Sequence, residues 1–346
     1  MSEEHREPPQ AVLEAYGCAG ARVITETVKK KKAVWYVERP GGLWVLKQSS
    51  LSENRLRFVL AAAEHLRGRG VRLPAVIPTK AGKPYVACPE GLFFMMERLE
   101  GRNPSYEVPA EREAILQALA RFHRASEGFL TGEFPEARVQ LGEWPSLYLK
   151  RLDALQEPMG TGPFWALARP HHELMVHAAR TALERLQRSS YASWTEAVRA
   201  AGGLCHQDFA AGNLLMDPSG ALAVLDLDSI SVEIPARDLR KILIKVLKKS
   251  ASWNHELAAS MLEAYHRVNP LTAAQYAVLQ ADLIFPHLYH GLIDKYRRGR
   301  APEWSEAVFL SKLERVVAFE RAKWEVLSSR PLLPASLAAG RETHGN

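Results

Sequence analysis

The chain has 346 residues, is 47% hydrophobic and 24% charged, and carries a formal net charge of +6. This is the composition of a globular protein long enough for two packed lobes, and it excludes collagen-like and disulfide-scaffold classes. No apolar run reaches the roughly 18 residues of a membrane span, MSEEHREPPQ lacks an apolar signal core, and Cys18, Cys88 and Cys205 are too scattered for a disulfide framework or a Cys-based zinc site.

Residues 21–48 alternate as strands do: ARVITETV, the lysines Lys29 to Lys32, AVWYVE, the turn RPGG, then LWVLKQ. The pattern predicts a hairpin and a third strand joined across Pro40-Gly41-Gly42. Residues 52–68 begin with a Ser cap and repeat apolar side chains at Leu56, Val59, Leu60, Ala63 and Leu66, which predicts a helix. AGKPY marks a turn, and GLFFMMERLEG reads as a buried strand ending at Gly101. The first hundred residues therefore read β-β-β-α-β-β, a small α+β lobe spanning 1–100.

From 101 to 346 the period is helical. Helices are predicted at 110–126, 146–156 and 171–187, then over 236–250, 254–268, 272–299 and 305–327, with a loose tail after Pro334. The fold class is α+β and two-lobed, with a β-rich N-terminal lobe and a larger helical lobe. One compact β segment interrupts the helices: LCHQDFAAGNLLMDPSGALAVLDLDS, residues 204–229.

That segment carries the chemistry. Two short apolar strands flank Asp217-Pro218-Ser219-Gly220, which has type I turn residues at each corner. The hairpin brings one loop end, with Asp208 and Asn213, close to another with Asp226. His-x-Asp-x4-Asn followed by an apolar strand ending in Asp is an arrangement used for phosphoryl transfer. Asp208 supplies a carboxylate to orient and deprotonate an acceptor hydroxyl. Asn213 and Asp226 supply the oxygen ligands that Mg²⁺ requires, bridging toward the phosphates of ATP. His206 braces the loop that holds Asp208. A plain loop of Asx-turn residues is the bland alternative, and it accounts for the turn but not for the spacing.

Nucleotide contacts are expected from the first lobe. Lys47 lies on the third strand, where a kinase places the lysine that touches the α- and β-phosphates. The backbone at Glu97 and Leu99 is positioned as a hinge able to bond an adenine edge. No G-x-G-x-x-G is present, and the Lys29 to Lys32 run at the hairpin tip is either solvated or near phosphates. His171, His172 and His177 do not share the i, i+4 face of a helical zinc pair and read as surface histidines. No G-x-S-x-G elbow supports a hydrolase, and no zinc finger, RNP or basic-zipper pattern accompanies the positive charge, so nucleic acid is not an expected partner.

Across KKKKAVWYVE, LRFVLAAAEHLRGRGVRLPAVIPTKAGKPYV, LGEWPSLYLKRLDALQ, CHQDFAAGNLL, LDLDSISVEIPARDLRKIL and FPHLYHGLIDKYRRG, the chain resembles the aminoglycoside phosphotransferase-type, protein-kinase-like fold. Within it, the resemblance is to the CotS family of bacterial spore coat proteins. The resemblance implies ATP, Mg²⁺ and an unnamed small-molecule acceptor, synthesis in the cytoplasm of a spore-forming cell, and deposition in the spore coat among other coat proteins. It assigns Asp208 as catalytic base, Asn213 and Asp226 as metal ligands, and Asp228 as second acid of the D-x-D pair. Asp238 is assigned as the acid that ties down the catalytic loop, and Glu64 as the helix partner of Lys47. The acceptor is expected between Asp208 and the region of Phe285-Pro286-His287 and Tyr289. The alternative to an enzyme is a silent kinase-fold scaffold in the coat.

Overall fold

The computed structural model describes residues 7–29 and 32–342; of the Lys29 to Lys32 run, Lys30 and Lys31 lie outside them. The chain opens with a short helix, α1 (Gln10–Ala15), then β1 (Val23–Lys29), β2 (Lys32–Arg39) and β3 (Gly42–Ser49). Next come α2 (Glu53–Gly68), β4 (Val76–Ile77), β5 (Val86–Cys88) and β6 (Gly91–Glu97). The six strands form one antiparallel sheet in the order β1-β2-β3-β6-β4, with β5 also on β6. The expected strand–turn–strand is present, with Gly41 (φ +95°) and Gly42 (φ +137°) supplying backbone that other residues resist.

One sheet face buries Trp35, Val37, Leu46 and Met95 against Val12 and Leu13 of α1. The other face sets Phe94 against Leu56 and Leu60 of α2. Each such aliphatic side chain contributes about 1.5–3 kcal/mol by leaving water. Ser52 starts α2 as predicted, its Oγ accepting from the Arg55 N–H at 3.2 Å.

The helical part runs α3 (Pro109–Ala125), α4 (Trp144–Gln156), α5 (Pro163–Gln187) and α6 (Tyr191–Ala201). The β insertion follows: β7 (Leu204–Cys205), β8 (Leu214–Met216), β9 (Leu222–Val224) and β10 (Ser231–Val232). Then come α7 (Ala236–Leu247), α8 (His255–His266), α9 (Ala273–Ile284), α10 (His287–Arg297), α11 (Glu306–Leu327) and α12 (Ala335–Glu342).

Four expectations change. Helix α5 begins at Pro163 and runs through Pro170, so the predicted start at 171 is too late. The single periodic stretch 272–299 breaks at Phe285-Pro286, because proline removes an N–H and clashes with the preceding turn. The tail after Pro334 is helix α12, held where Ser336 donates from N and Oγ to Glu263. His172 is no surface residue: its ring bonds the Tyr289 hydroxyl at 3.0 Å and the Leu155 carbonyl at 2.8 Å, joining α5 to α10 and α4.

The link from sheet to helices passes Gly101, whose φ is +153°. A Cβ there would sit 2.8 Å from the Met216 carbonyl oxygen, so only glycine fits. Arg102 then exchanges two backbone hydrogen bonds with Met216, at 3.0 and 2.7 Å. The β8–β9 hairpin is also tied to the segment after α2, where the Val224 N–H donates to the Arg72 carbonyl at 2.8 Å.

Candidate functional site

The DPSG turn forms as its residues require. Asp217 Oδ1 accepts from the N–H groups of Ser219 (2.8 Å) and Ala221 (3.1 Å), and Gly220 takes φ +85°. Registering β8 on β9 sets Leu214 opposite Val224. Asn213 therefore ends one strand beside Asp226 at the end of the other, and the Leu225 N–H donates to the Asn213 carbonyl at 2.8 Å. Asp226 itself adopts φ +55°, a left-handed backbone uncommon for a side-chain-bearing residue.

Asp208 lies in the loop between β7 and β8 and is exposed. The Asn213 side-chain amide donates to the Asp208 backbone carbonyl (2.9 Å) and to its carboxylate (3.0 Å). That commits the Asn213 NH₂ group and leaves its amide oxygen available to a cation.

His206 is fully buried at the base of this loop. Its Nε2 donates to the Leu225 carbonyl at 3.0 Å, while Nδ1 accepts from the Asp208 N–H at 3.3 Å. Both ring nitrogens are occupied by backbone, and burial lowers the imidazole's pKa, so His206 is a neutral brace. Beneath it, buried Asp238 accepts the N–H groups of His206 (2.6 Å) and Gln207 (2.9 Å) and faces His123 Nε2 at 3.2 Å. Gln207 needs that support: its φ is +68°, a strained value for a residue with a Cβ.

Residues not expected from the sequence complete the loop's frame. The Tyr106 hydroxyl donates to the Phe209 carbonyl and accepts the Ala211 N–H at 3.1 Å. Asn103 donates to the Leu214 carbonyl at 2.8 Å. Lys241 donates to the Gln207 carbonyl, and burial beside Arg237 takes its ammonium down to about 8. Each partner lies far along the chain, and no local pattern signals it.

Lys47 reaches across from β3. Its ammonium lies 2.9 Å from Asp226 Oδ1 and 2.9 Å from Asp228 Oδ1. Asp228 is mostly buried, and Arg55 of α2 donates to the backbone carbonyls of Asp228 and Ile230. The expected Lys47–Glu64 pair is absent. Glu64 is exposed, while Val59, Leu60 and Ala63 are the α2 residues that line the cleft with Lys47. Burying the apolar arc at Leu56, Leu60 and Ala63 turns position 64 outward. Phe94, Met96 and Val224 extend the cleft's apolar wall. At its outer edge Glu97 closes β6, its N–H donating to the Ala75 carbonyl at 2.8 Å, and half-buried Leu99 follows in the linker.

The structure thus brings Lys47, Asp208, Asn213, Asp226 and Asp228 around one interlobe cleft, braced by His206 and Asp238. Asn213, Asp226 and Asp228 offer hard oxygen atoms, a donor set suited to Mg²⁺. The expected acceptor region is different from its prediction. Phe285 and Tyr289 are buried, Phe285 packs on Tyr148 with ring centroids 4.5 Å apart, and His287 Nε2 donates to buried Asp282 at 2.7 Å. Asp282 also accepts from Tyr148 and, at 2.8 Å, from Arg240, so this region is a packed polar core.

Known proteins are similar to this chain in sequence and in fold. The sequence profile of the Phosphotransferase enzyme family (APH) matches residues 31–275. Spore coat protein S of Bacillus subtilis (strain 168) is 28% identical over 349 residues, covering 99% of each chain. An aminoglycoside phosphotransferase from Alicyclobacillus acidocaldarius superposes with a TM-score of 0.78 at 20% identity, covering 98% of each chain. An amicoumacin kinase crystallised with AMP-PNP and Ca²⁺ gives a TM-score of 0.57 at 15% identity, covering 90% of each. With well over half its length matched, the chain belongs to the phosphotransferase enzyme family and is a homologue of spore coat protein S.

Proposed function

We propose that the protein is an ATP- and Mg²⁺-dependent phosphotransferase acting on a hydroxyl of a small molecule. The carrying observation is the meeting of Lys47 with Asp226 and Asp228 across the cleft, 2.9 Å from each. The lysine and the two acids are charged groups of the kinds that a nucleotide phosphate and a divalent cation would engage. On this reading residues 1–100 form the nucleotide lobe and residues 101–346 the acceptor lobe.

When bound, Mg²⁺ neutralises charge on the transferring phosphoryl group; Asn213, Asp226 and Asp228 would hold it. Lys47 would pair with the α- and β-phosphates of the bound nucleotide. The backbone of Glu97 and Leu99 meets the base. Asp208 orients the acceptor hydroxyl and takes its proton. His206 and Asp238 fix Asp208 without moving a proton. A nucleotide-bound kinase of the same fold supports this assignment.

Likeness to spore coat protein S over almost the whole chain supports association with the spore coat. It also supports a second reading, a coat scaffold without catalysis, favoured by the exposed position of Glu64. A thermal-shift titration separates the two. With Kd on the order of 50 μM for Mg-ATP, about 5 mM nucleotide stabilises the fold by about 2.7 kcal/mol and raises Tm by several degrees. The rise needs Mg²⁺ and shrinks in Asp226→Ala. A folded protein whose Tm ignores ATP with and without Mg²⁺ is the scaffold.

A further inference from the structure

The largest cavity described lies away from the interlobe cleft, in the helical lobe between the end of α7, α10 and α11, with a volume of about 530 Å³. That is the size of a small-molecule site. Lys248, Lys249, Lys295, Lys312 and Arg315 surround it. Among the described residues, Lys249 is the one of these five with a carboxylate partner, Glu107. Asp294, next to Lys295, is engaged instead by Arg298 (2.7 Å) and Arg300 (3.0 Å).

The cations are ordered around an aromatic post. Lys295 Nζ lies 4.4 Å and Lys312 Nζ 4.5 Å from the centre of the Trp304 ring. Two ammonium groups on one indole repel each other, and the ring offsets part of that cost. The floor is apolar, made of Leu288, Leu292, Val316 and Phe319. Burial lowers the Lys248 ammonium's pKa, and the charges of Lys245 and Lys312 add to it.

The charge continues along α7. Arg237, Lys241, Lys245 and Lys248 recur at helical spacing and share one face. At 1.5 Å per residue, the track covers roughly 15 Å from the catalytic loop, where Arg237 and Lys241 bond Gln207, to the cavity.

We propose that this cavity binds a small organic anion bearing a phosphate or similar dianionic group, with its apolar body on Leu292 and Phe319. Convergent lysines and an arginine select a multiply charged oxyanion. The apolar floor selects an organic body over a free inorganic ion, and a volume of about 530 Å³ suits a small molecule. This site is separate from the nucleotide cleft and does not depend on catalysis there.

The test uses the full chain saturated with Mg²⁺ and AMP-PNP, titrated calorimetrically with 1-naphthyl phosphate. We expect one equivalent bound, weakening as salt rises. Lys312→Glu/Arg315→Glu, both exposed positions, should lose at least about tenfold in affinity. Lys83→Glu, an exposed change in the other lobe, should match the wild type. Lys248→Gln provides a milder variant if the double change lowers Tm, and it too should weaken binding. Equal affinity in all variants, equal binding of uncharged 1-naphthol, or competition by AMP-PNP would each overturn the proposal. So would retention of a short single-stranded oligonucleotide with no binding of naphthyl phosphate. The Tm response to Mg-ATP is read separately, so failure of either reading leaves the other standing.

Discussion

Lys47 stands between Asp226 and Asp228, 2.9 Å from one carboxylate oxygen of each, although the residues are 179 and 181 positions apart. Burial pushes the lysine's pKa down, but Asp228 and Asp226 outweigh it and the net shift is upward from 10.5. The lysine therefore contributes stability throughout neutral pH, and that contribution is lost as pH rises through the raised folded value. Lys47→Ala leaves two carboxylates facing each other. We expect a loss on the order of 1–3 kcal/mol in metal-free buffer, partly recovered by millimolar Mg²⁺. Urea denaturation with and without Mg²⁺ reads this; a loss unaffected by Mg²⁺ would remove the acids from the metal site.

Asp208→Asn keeps shape and removes the base. Phosphoryl transfer, followed as background ATP hydrolysis if no acceptor is known, should fall by about 10² or more while Tm is unchanged. Equal rates would take Asp208 out of the mechanism.

Asp238→Ala orphans the N–H groups of His206 and Gln207, and should cost on the order of 1–3 kcal/mol. Asp226→Ala, at a half-exposed carboxylate, should cost about 1 kcal/mol or less. Burial raises the Asp238 pKa, but the hydrogen bond and charge of His123 and the His206 N–H bring it below 3.8. Its contribution is present above the unfolded value and fades as pH falls through the folded one. Denaturation at pH 7 and pH 3 should show the two variants converging in acid; a larger loss for Asp226→Ala at pH 7 would exchange their roles.

Glu64→Gln should change neither stability, within about 0.5 kcal/mol, nor Mg-ATP binding, because the side chain is exposed. A tenfold weaker nucleotide response would show that α2 rotates to bring Glu64 to Lys47 on binding.

Glu233 is buried, accepting from Trp144 Nε1 and the Ile234 N–H, both at 2.9 Å. Burial raises its carboxyl from 4.5 to about 7 against those two bonds. The folded state thus holds this proton more tightly than the unfolded chain. Stability is complete below the unfolded value and declines as pH rises toward 7, by on the order of 3 kcal/mol in all. Glu233→Gln should lose that slope, so the difference between variant and wild type should grow in the variant's favour from pH 5 to pH 7.5 in urea denaturation.

What the sequence made legible is what short spacing determines. The DPSG turn, the Ser52 cap and the loop from His206 to Asn213 are each closed by bonds within a few residues, and all three form as expected. Asp238 came from the family resemblance and not from local spacing; in the structure its carboxylate accepts the N–H groups of His206 and Gln207. Glu64 was misread because spacing from a lysine says nothing about helix phase, which the buried arc of α2 sets. Helix α1 was missed because six residues are too few to show a period. Asn103, Tyr106 and His123 carry no signal at all, since their roles exist only after α3 and the linker are packed against the loop.

The β insertion is gripped from both sides: Arg102 bonds Met216 of β8, Arg72 bonds Val224 of β9, and Arg55 of α2 reaches the Ile230 carbonyl beyond it. Two halves joined only by a linker would part like a clamshell. Here each widening of the cleft must first break bonds at Val224–Arg72 and Arg55–Ile230, at about 1 kcal/mol apiece. The two bonds therefore latch α2 and the segment after it to the stretch of chain that carries Asp226 and Asp228.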